Sequence, residues 1–487
     1  MCIGAAYREC GARGGGGGGR GRLRALRLAG ALLLAVSFAA AAPAEEALST
    51  ALRARVDAAV GAALARTAVP SASIAIVRGR TLVYANAYGW AQLEPRRAAS
   101  PSMRYAIGSI SKEFTAAALL LLQERGALSI DDPAGKWLSG LGPAAAVSIR
   151  ALLSHTSGIR DFWPQDYDLP EMLGPVSPAE LVARWANRPL DFPAGSAWQY
   201  SNTGYTVAGL IAERAAHAGL FEFLSAQVFR PLGMSSAFDF DAAPLPAGDA
   251  TGYTRYALGP PRPAAKEGRG WLFAAGELAM SAADLAAWDI AVSERRLLSE
   301  ASYRDLTTEV RLANGAGTGY ALGLDVALEG GRRRLAHGGE VGGFTAENRI
   351  YPDDGAAIVV LTNQDAANAA TVIADELEKL LFVADSPADA AAVAQAERMF
   401  GELQQGRLDP ALLTANARSY FTARALADFH ASLAPLGKPA KFALLRASRR
   451  GGLMTRVYEI TYGDRTLLAV VRSTPDGLIE QYTVSAK

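Results

Sequence analysis

The sequence predicts an α+β fold: an antiparallel sheet flanked by helices, a helical lobe beside it, and a second, small α+β domain. Three observations carry the prediction. Strand-rich runs at 71–94 and 320–363 bracket a long stretch of helical patterns, the order expected when a sheet draws strands from both ends of a domain. Composition then shifts at "VADSPADAAA", residues 383–392. Beyond it, helical patterns come first and four strand-like runs follow, as in a small domain with its own core. At 487 residues, 50% hydrophobic and 20% charged, the chain has enough apolar surface for more than one core.

Residues 1–44 are expected to be a leader. Residues 2–27 are Gly-rich and basic, and 28–44 are apolar and end in small residues. A basic stretch, an apolar stretch and an Ala-x-Ala site make a secretory signal, with cleavage expected after Ala42 or Ala44. The apolar run is short for a bilayer span. A secreted or periplasmic location is therefore preferred over anchoring by an uncleaved signal. Both cysteines, Cys2 and Cys10, lie in this leader, so the remaining chain can form no disulfide.

The later elements read in order. Residues 52–66 form an amphipathic helix, and 71–94 a hairpin about the turn Arg78-Gly79-Arg80. "YAIGSISKEFTAAALLLLQERG", 105–126, opens a helix near Ser109 that is apolar on most sides. Residues 149–159 form a short helix ending in a Ser/Thr/Gly turn. Polar loops and aromatics fill 160–198. A helix at 205–219 is expected to stop at Gly219, and one at 281–293 to be capped by Ser281. Residues 320–363 alternate short β runs with Gly or Asp-Asp-Gly turns, and 370–382 is a terminal helix. The expected division is a first domain at 45–383, a linker at 384–392 and an accessory domain at 393–487. The last has helices near 393–405 and 410–416 and around "ALADFHASLAPLG", then four strands.

Composition narrows the function. With 49 basic and 48 acidic residues the formal net charge is +1, so neither nucleic acid nor an acidic membrane is the expected partner. Four histidines and no Cys-His spacing point away from a metal. No phosphate loop is present. No cofactor is expected.

Three short stretches carry chemistry. Ser109 and Lys112 are three apart, and residues so spaced share one helix face. Burial of that helix disfavours the lysine's charge and lowers its pKa. A neutral amine there can take the serine proton, and the Ser109 N–H can form half of an oxyanion hole. The alternative is a helix-capping serine with a lysine that reaches solvent. The chain has only seven lysines, and this is its only Ser-x-x-Lys. "WQYSNTGY" supplies Tyr200, whose phenol beside a lysine can have a lowered pKa and shuttle protons. It also supplies Asn202, whose amide can bind the amine and a substrate carbonyl. A buried tyrosine beside an asparagine cap fits the same letters. "LAHGGEVGGF" supplies His337, Gly338 and Gly339. The glycines let an edge strand approach a substrate. His337 can donate a hydrogen bond or carry a charge, and the Glu340 N–H can complete the oxyanion hole. A β-turn with an exposed histidine is the alternative.

In this order, the three elements resemble those of the serine β-lactamase and penicillin-binding-protein superfamily, whose motifs are Ser-x-x-Lys, Tyr-x-Asn and Lys-Thr-Gly or His-x-Gly. "LLSHTSGI", "FPAGSAWQYSNTGYTVAGLIAE", "VFRPLGM", "AAGELAMSAADLAAW" and "HGGEVGGF" extend the likeness over 52–382, to the branch related to class C β-lactamases. The resemblance implies a serine hydrolase that works through an acyl-enzyme. It implies Ser109 as nucleophile, Lys112 as its base partner and Tyr200 as proton shuttle. It further implies Asn202, His337, Gly339 and Glu340 as substrate-binding groups, and a structural role for His155. His337 stands where many relatives have lysine, which weakens the case for β-lactams. Esters and D-amino-acid peptides or amides become at least as strong candidates. The tail at 393–487 resembles a nuclear-transport-factor-like domain, which implies an accessory role and a homodimer as one option. A binding or sensor protein for cell-wall fragments that keeps the cleft without turnover is the alternative function.

Overall fold

The computed structural model describes residues 48–165, 167–329, 331–382, 387–450, 452–463 and 465–487. The leader at 1–44 lies outside these residues, as does the start of the expected linker. The described residues fall within one compact unit, Glu45–Lys487. Among them no helix is long and apolar enough to cross a membrane.

The fold is α+β, and its centre is a seven-stranded sheet. In spatial order its strands are Arg97–Ala98, Thr81–Gln92, Ser71–Arg78, Ala356–Thr362, Phe344–Tyr351, Arg332–Val341 and Asp325–Glu329. Every neighbouring pair is antiparallel. Strands from the two sequence ends meet in the middle, where Ser73 faces Leu361 and Ala75 faces Val359. Side chains alternate between faces, and the alternation sorts them into two cores. Ala75, Val77, Val359 and Leu361 join the large core beneath the helical lobe. Ile74, Ile76, Ile358 and Val360 join a second core under helices Thr50–Thr67 and Ala369–Phe382. Burial on both faces explains why the two central strands are mostly apolar, with Ser71, Ser73 and Thr362 as small buried exceptions.

Helix Ser111–Glu124 is buried from Ser111 to Leu122, because it runs between sheet and lobe. Its polar Glu113 is matched there: Trp288 Nε1 donates to Glu113 Oε2 at 2.7 Å, and Asn348 Nδ2 bridges Glu113 and Asp289. Burial raises the Glu113 carboxyl to about 8, so it enters the core as a neutral acid at pH 7. Ser281 caps helix Ala282–Glu294 by accepting from Asp284 N, as expected. The helix expected to stop at Gly219 is instead Asn202–Ala216, and it ends on His217 in the left-handed conformation. Gly219 serves as the N-cap of the next helix, Leu220–Leu224. A left-handed terminus favours glycine without requiring it, which is why the glycine misplaced the stop.

The C-terminal residues form their own four-stranded antiparallel sheet, Lys441–Arg450, Leu453–Tyr462, Arg465–Ser473 and Ile479–Ala486. Helices Pro387–Gln404 and Ala423–Leu433 pack on it around Met399, Phe400, Tyr458 and Tyr482. The helix starts at Pro387, so residues 387–392 of the expected linker are helical. Proline is favourable in a first helical turn, and the alanine-rich run behind it has high helix propensity. The composition shift at 383–392 suits a linker and a helix start alike.

Candidate active site

A short strand, Tyr105–Ala106, pairs with Leu278–Met280 and aims the chain at the cleft. The chain then turns through a 3-10 segment, Gly108–Ile110, into helix Ser111–Glu124. Ser109 therefore sits in the 3-10 turn, and Lys112 is the second residue of the α-helix. The helix is tied to the segment opposite by two bonds. Thr115 Oγ1 donates to Ala274 O at 2.7 Å, and Leu278 N donates to Ser111 Oγ at 3.0 Å.

Lys112 is fully buried. Its Nζ lies 2.8 Å from Ser109 Oγ, 2.9 Å from Asn202 Oδ1 and 2.7 Å from Ala275 O. Two of these partners can only accept. They take two N–H donors of the amine, and the third direction faces Ser109. In the neutral amine that direction is the lone pair. Burial lowers the Lys112 pKa from 10.5 to about 7, against the pull of the Asp161 carboxylate. The shift corresponds to roughly 5 kcal/mol against the charged form.

Tyr200 OH donates to Ser109 Oγ at 2.8 Å, so the serine oxygen lies within hydrogen-bond distance of both the phenol and the amine. The expectation of a lowered phenol pKa is corrected: burial raises it, outweighing the bond to Ser109. A buried phenolate loses more hydration than the nearby amine returns. Tyr200 is therefore a proton donor at neutral pH.

Asn202 begins its helix behind the N-cap Ser201. Its orientation is set by Asp161, which the sequence reading missed. Asn202 N donates to Asp161 Oδ1 at 3.0 Å and Asn202 Nδ2 to Asp161 Oδ2 at 3.2 Å. This turns the amide oxygen towards Lys112. His155, read as structural, accepts from Ser201 N through Nδ1 at 3.1 Å and lies with its ring 4.2 Å from that of Tyr200.

His337 departs from expectation. Its Nδ1 donates to Gly338 O at 2.5 Å, so its Nε2 accepts from Tyr320 OH at 2.8 Å. Both ring nitrogens are engaged, the ring is buried, and burial lowers the pKa to about 3. His337 is a neutral imidazole that supports Tyr320, rather than a cation or donor offered to substrate. Tyr320 gave no sequence signal, because only the fold brings it to the histidine.

The glycines act differently from expected as well. A Cβ at Gly339 would lie 1.9 Å from Ile107 O and 3.4 Å from Ser109 N, and one at Gly108 would lie 2.6 Å from Glu340 N. The missing side chains let strand Arg332–Val341 press against the Ser109 turn rather than against substrate. The neighbouring strand Asp325–Glu329 pairs only with Arg332 to Ala336, so it leaves 337–341 uncovered beside the cleft. A small pocket beside Ser109 is walled by Phe162, Trp163, Trp271, Leu272 and Val341. A larger cleft of about 1090 Å³ continues outward past Tyr200, Asn202 and Glu340.

The family described as Beta-lactamase matches residues 56–381, and the chain belongs to that family. Its sheet, helical lobe and Ser109–Lys112 turn lie within the matched stretch. A penicillin-binding protein of Bacillus subtilis (strain 168) is 27% identical over 342 residues, 65% of this chain and 74% of that protein. A D-aminopeptidase of Brucella anthropi is 28% identical over 304 residues, 60% of this chain but only 56% of that protein. The crystal structure of a D-stereospecific amidohydrolase from Streptomyces sp. superposes with a TM-score of 0.58 at 26% identity. It covers 68% of this chain and 98% of that one. These relatives make the chain a β-lactamase-related serine hydrolase.

Proposed function

We propose that the protein is an exported hydrolase that forms an acyl-enzyme on Ser109 and acts on esters or on D-amino-acid amides and peptides. One observation carries the reading: two pure acceptors occupy two directions of the Lys112 amine and leave the third for Ser109 Oγ. In the proposed reaction Ser109 Oγ attacks the carbonyl carbon and its proton passes to Lys112. The carbonyl oxygen takes the developing charge and is met by the Ser109 and Glu340 N–H groups. Tyr200 carries a proton to the leaving group, whose bond to the acyl carbon then breaks. Water repeats the sequence in reverse roles and frees the acid.

Two findings support amides and esters over β-lactams. His337 is neutral, so it offers no fixed charge to a carboxylate. The amidohydrolase and aminopeptidase likenesses point to the same substrate class. The leader at 1–44 supports export, and the separate core of residues 387–487 supports an accessory domain. Incubation with a fluorophosphonate, read by intact mass and peptide mapping, should add one adduct at Ser109. The adduct should vanish in Ser109→Ala. Undiminished labelling of that variant would refute the assignment.

A further inference from the structure

The geometry points to His155 as a positioning residue: it holds the Tyr200 phenol at Ser109, so that its loss is felt where a proton must reach the leaving group. The inference rests on the hydrolase reading above and deepens it.

Tyr200 lies in no helix or strand, and helix Asn202–Ala216 starts only beyond it. Its hydroxyl stands at the far end of a long side chain, so a small tilt of the segment would carry it away from Ser109 Oγ, 2.8 Å distant. Something outside the segment has to hold it.

His155 grips the segment on both sides of Tyr200. Gln199 N donates to His155 O at 2.9 Å, and Ser201 N donates to His155 Nδ1 at 3.1 Å. Between these two bonds the rings of Tyr200 and His155 lie 4.2 Å apart, inclined at 36°. His155 is itself fixed in place. It is fully buried, and the rings of Tyr205 and Tyr320 lie 5.2 Å and 4.8 Å from its own.

The imidazole serves this grip and nothing else within reach. Nδ1 accepts from a backbone N–H, so the single proton of the neutral ring is on Nε2. That buried Nε2 has no hydrogen-bond partner among the described residues. Burial, and after it the neighbouring Lys112 and His337, keep the ring's pKa well below its usual value. The ring therefore stays neutral and Nδ1 stays an acceptor. His155 lines neither the small pocket beside Ser109 nor the larger cleft, so it acts through Tyr200 and not on substrate. A histidine that merely held the loop would affect all substrates alike. One that aims a proton donor affects most those whose leaving group needs the proton.

Two acetate esters with the same acyl group test the role. p-Nitrophenoxide leaves without help, whereas phenoxide, from a phenol of pKa about 10, leaves better with a proton. For each ester kcat/KM reports acylation of Ser109. His155→Gly removes the ring and suits the left-handed backbone at 155, φ 59°. It should lose about threefold on p-nitrophenyl acetate and about thirtyfold on phenyl acetate. His155→Asn tolerates the same backbone and offers Ser201 N an amide oxygen without the ring. The ratio of phenyl to p-nitrophenyl acetate should fall about tenfold in the glycine variant and about threefold in the asparagine variant. Tyr200→Phe should lower the ratio by itself, and adding His155→Gly should lower it no further. Equal losses on both esters, or a further fall in the double variant, overturn the positioning role and leave the hydrolase reading intact. Should the glycine variant fold poorly by circular dichroism, the asparagine variant decides, and an unchanged ratio there overturns the role. A parent that forms no acyl-enzyme with either ester overturns the hydrolase reading, and the role with it.

Discussion

At the inner wall of the cleft, Lys112, Asn202 and Asp161 form a chain in which each polar side-chain atom has a partner. Behind its outer wall, the buried Glu267 Oε2 has none. The two regions hold similar groups at similar depth, and the difference lies in satisfaction. A closed network fixes side chains before substrate arrives, so little reorganisation remains for the reaction. Open acceptors do the reverse. An unpartnered buried acceptor costs stability instead.

Substitutions at the inner wall should break that contrast first. Lys112→Ala removes the base and leaves Asn202 Oδ1 and Ala275 O buried without a donor. Acylation by a p-nitrophenyl ester should fall about a thousandfold, read as the burst rate in stopped flow. A parental burst would disprove the base role. Tyr200→Phe keeps the ring packed on His155 and loses only the hydroxyl. Turnover should drop about a hundredfold with the melting temperature nearly unchanged, whereas parental turnover would exclude the shuttle.

The smallest effect sharpens the comparison. Deprotonated Lys112 is the active form, so kcat/KM should rise with pH through about 7, the lysine's lowered pKa. The Asp161 carboxylate pulls that value up. Asp161→Asn removes the pull, so the rising limb should move to lower pH, with a loss of roughly tenfold from the loosened Asn202. A limb that stays in place would show that Asp161 acts only by shape.

The residues that met around Ser109 were legible because each lies in a short run with its own signature. Ser-x-x-Lys marks its helix, Tyr-x-Asn marks the start of another, and the paired glycines mark a close approach. The strands were legible through alternation and turn residues. Asp161, Tyr320 and Ala275 were not. Asp161 lies in a loop and acts through Asn202 and through its charge on Lys112, Tyr320 acts through His337, and Ala275 through a backbone carbonyl any residue could supply. The state of His337 was illegible for a related reason. Its charge depends on burial and on Tyr320, neither of which a local window contains. The helix start at Pro387, ahead of the expected 393, was not legible because alanine-rich sequence serves linkers and helices alike.

Ser71 and Asn363 are 292 residues apart in sequence, yet Ser71 Oγ donates to Asn363 Oδ1 at 2.7 Å in the middle of the sheet. The first hairpin emerges from the ribosome without the neighbour that covers its other edge. That neighbour follows only after the entire helical lobe has been made. Contacts of such long range slow folding. A nascent chain of this design therefore cannot close its central sheet until strand Ala356–Thr362 has been made.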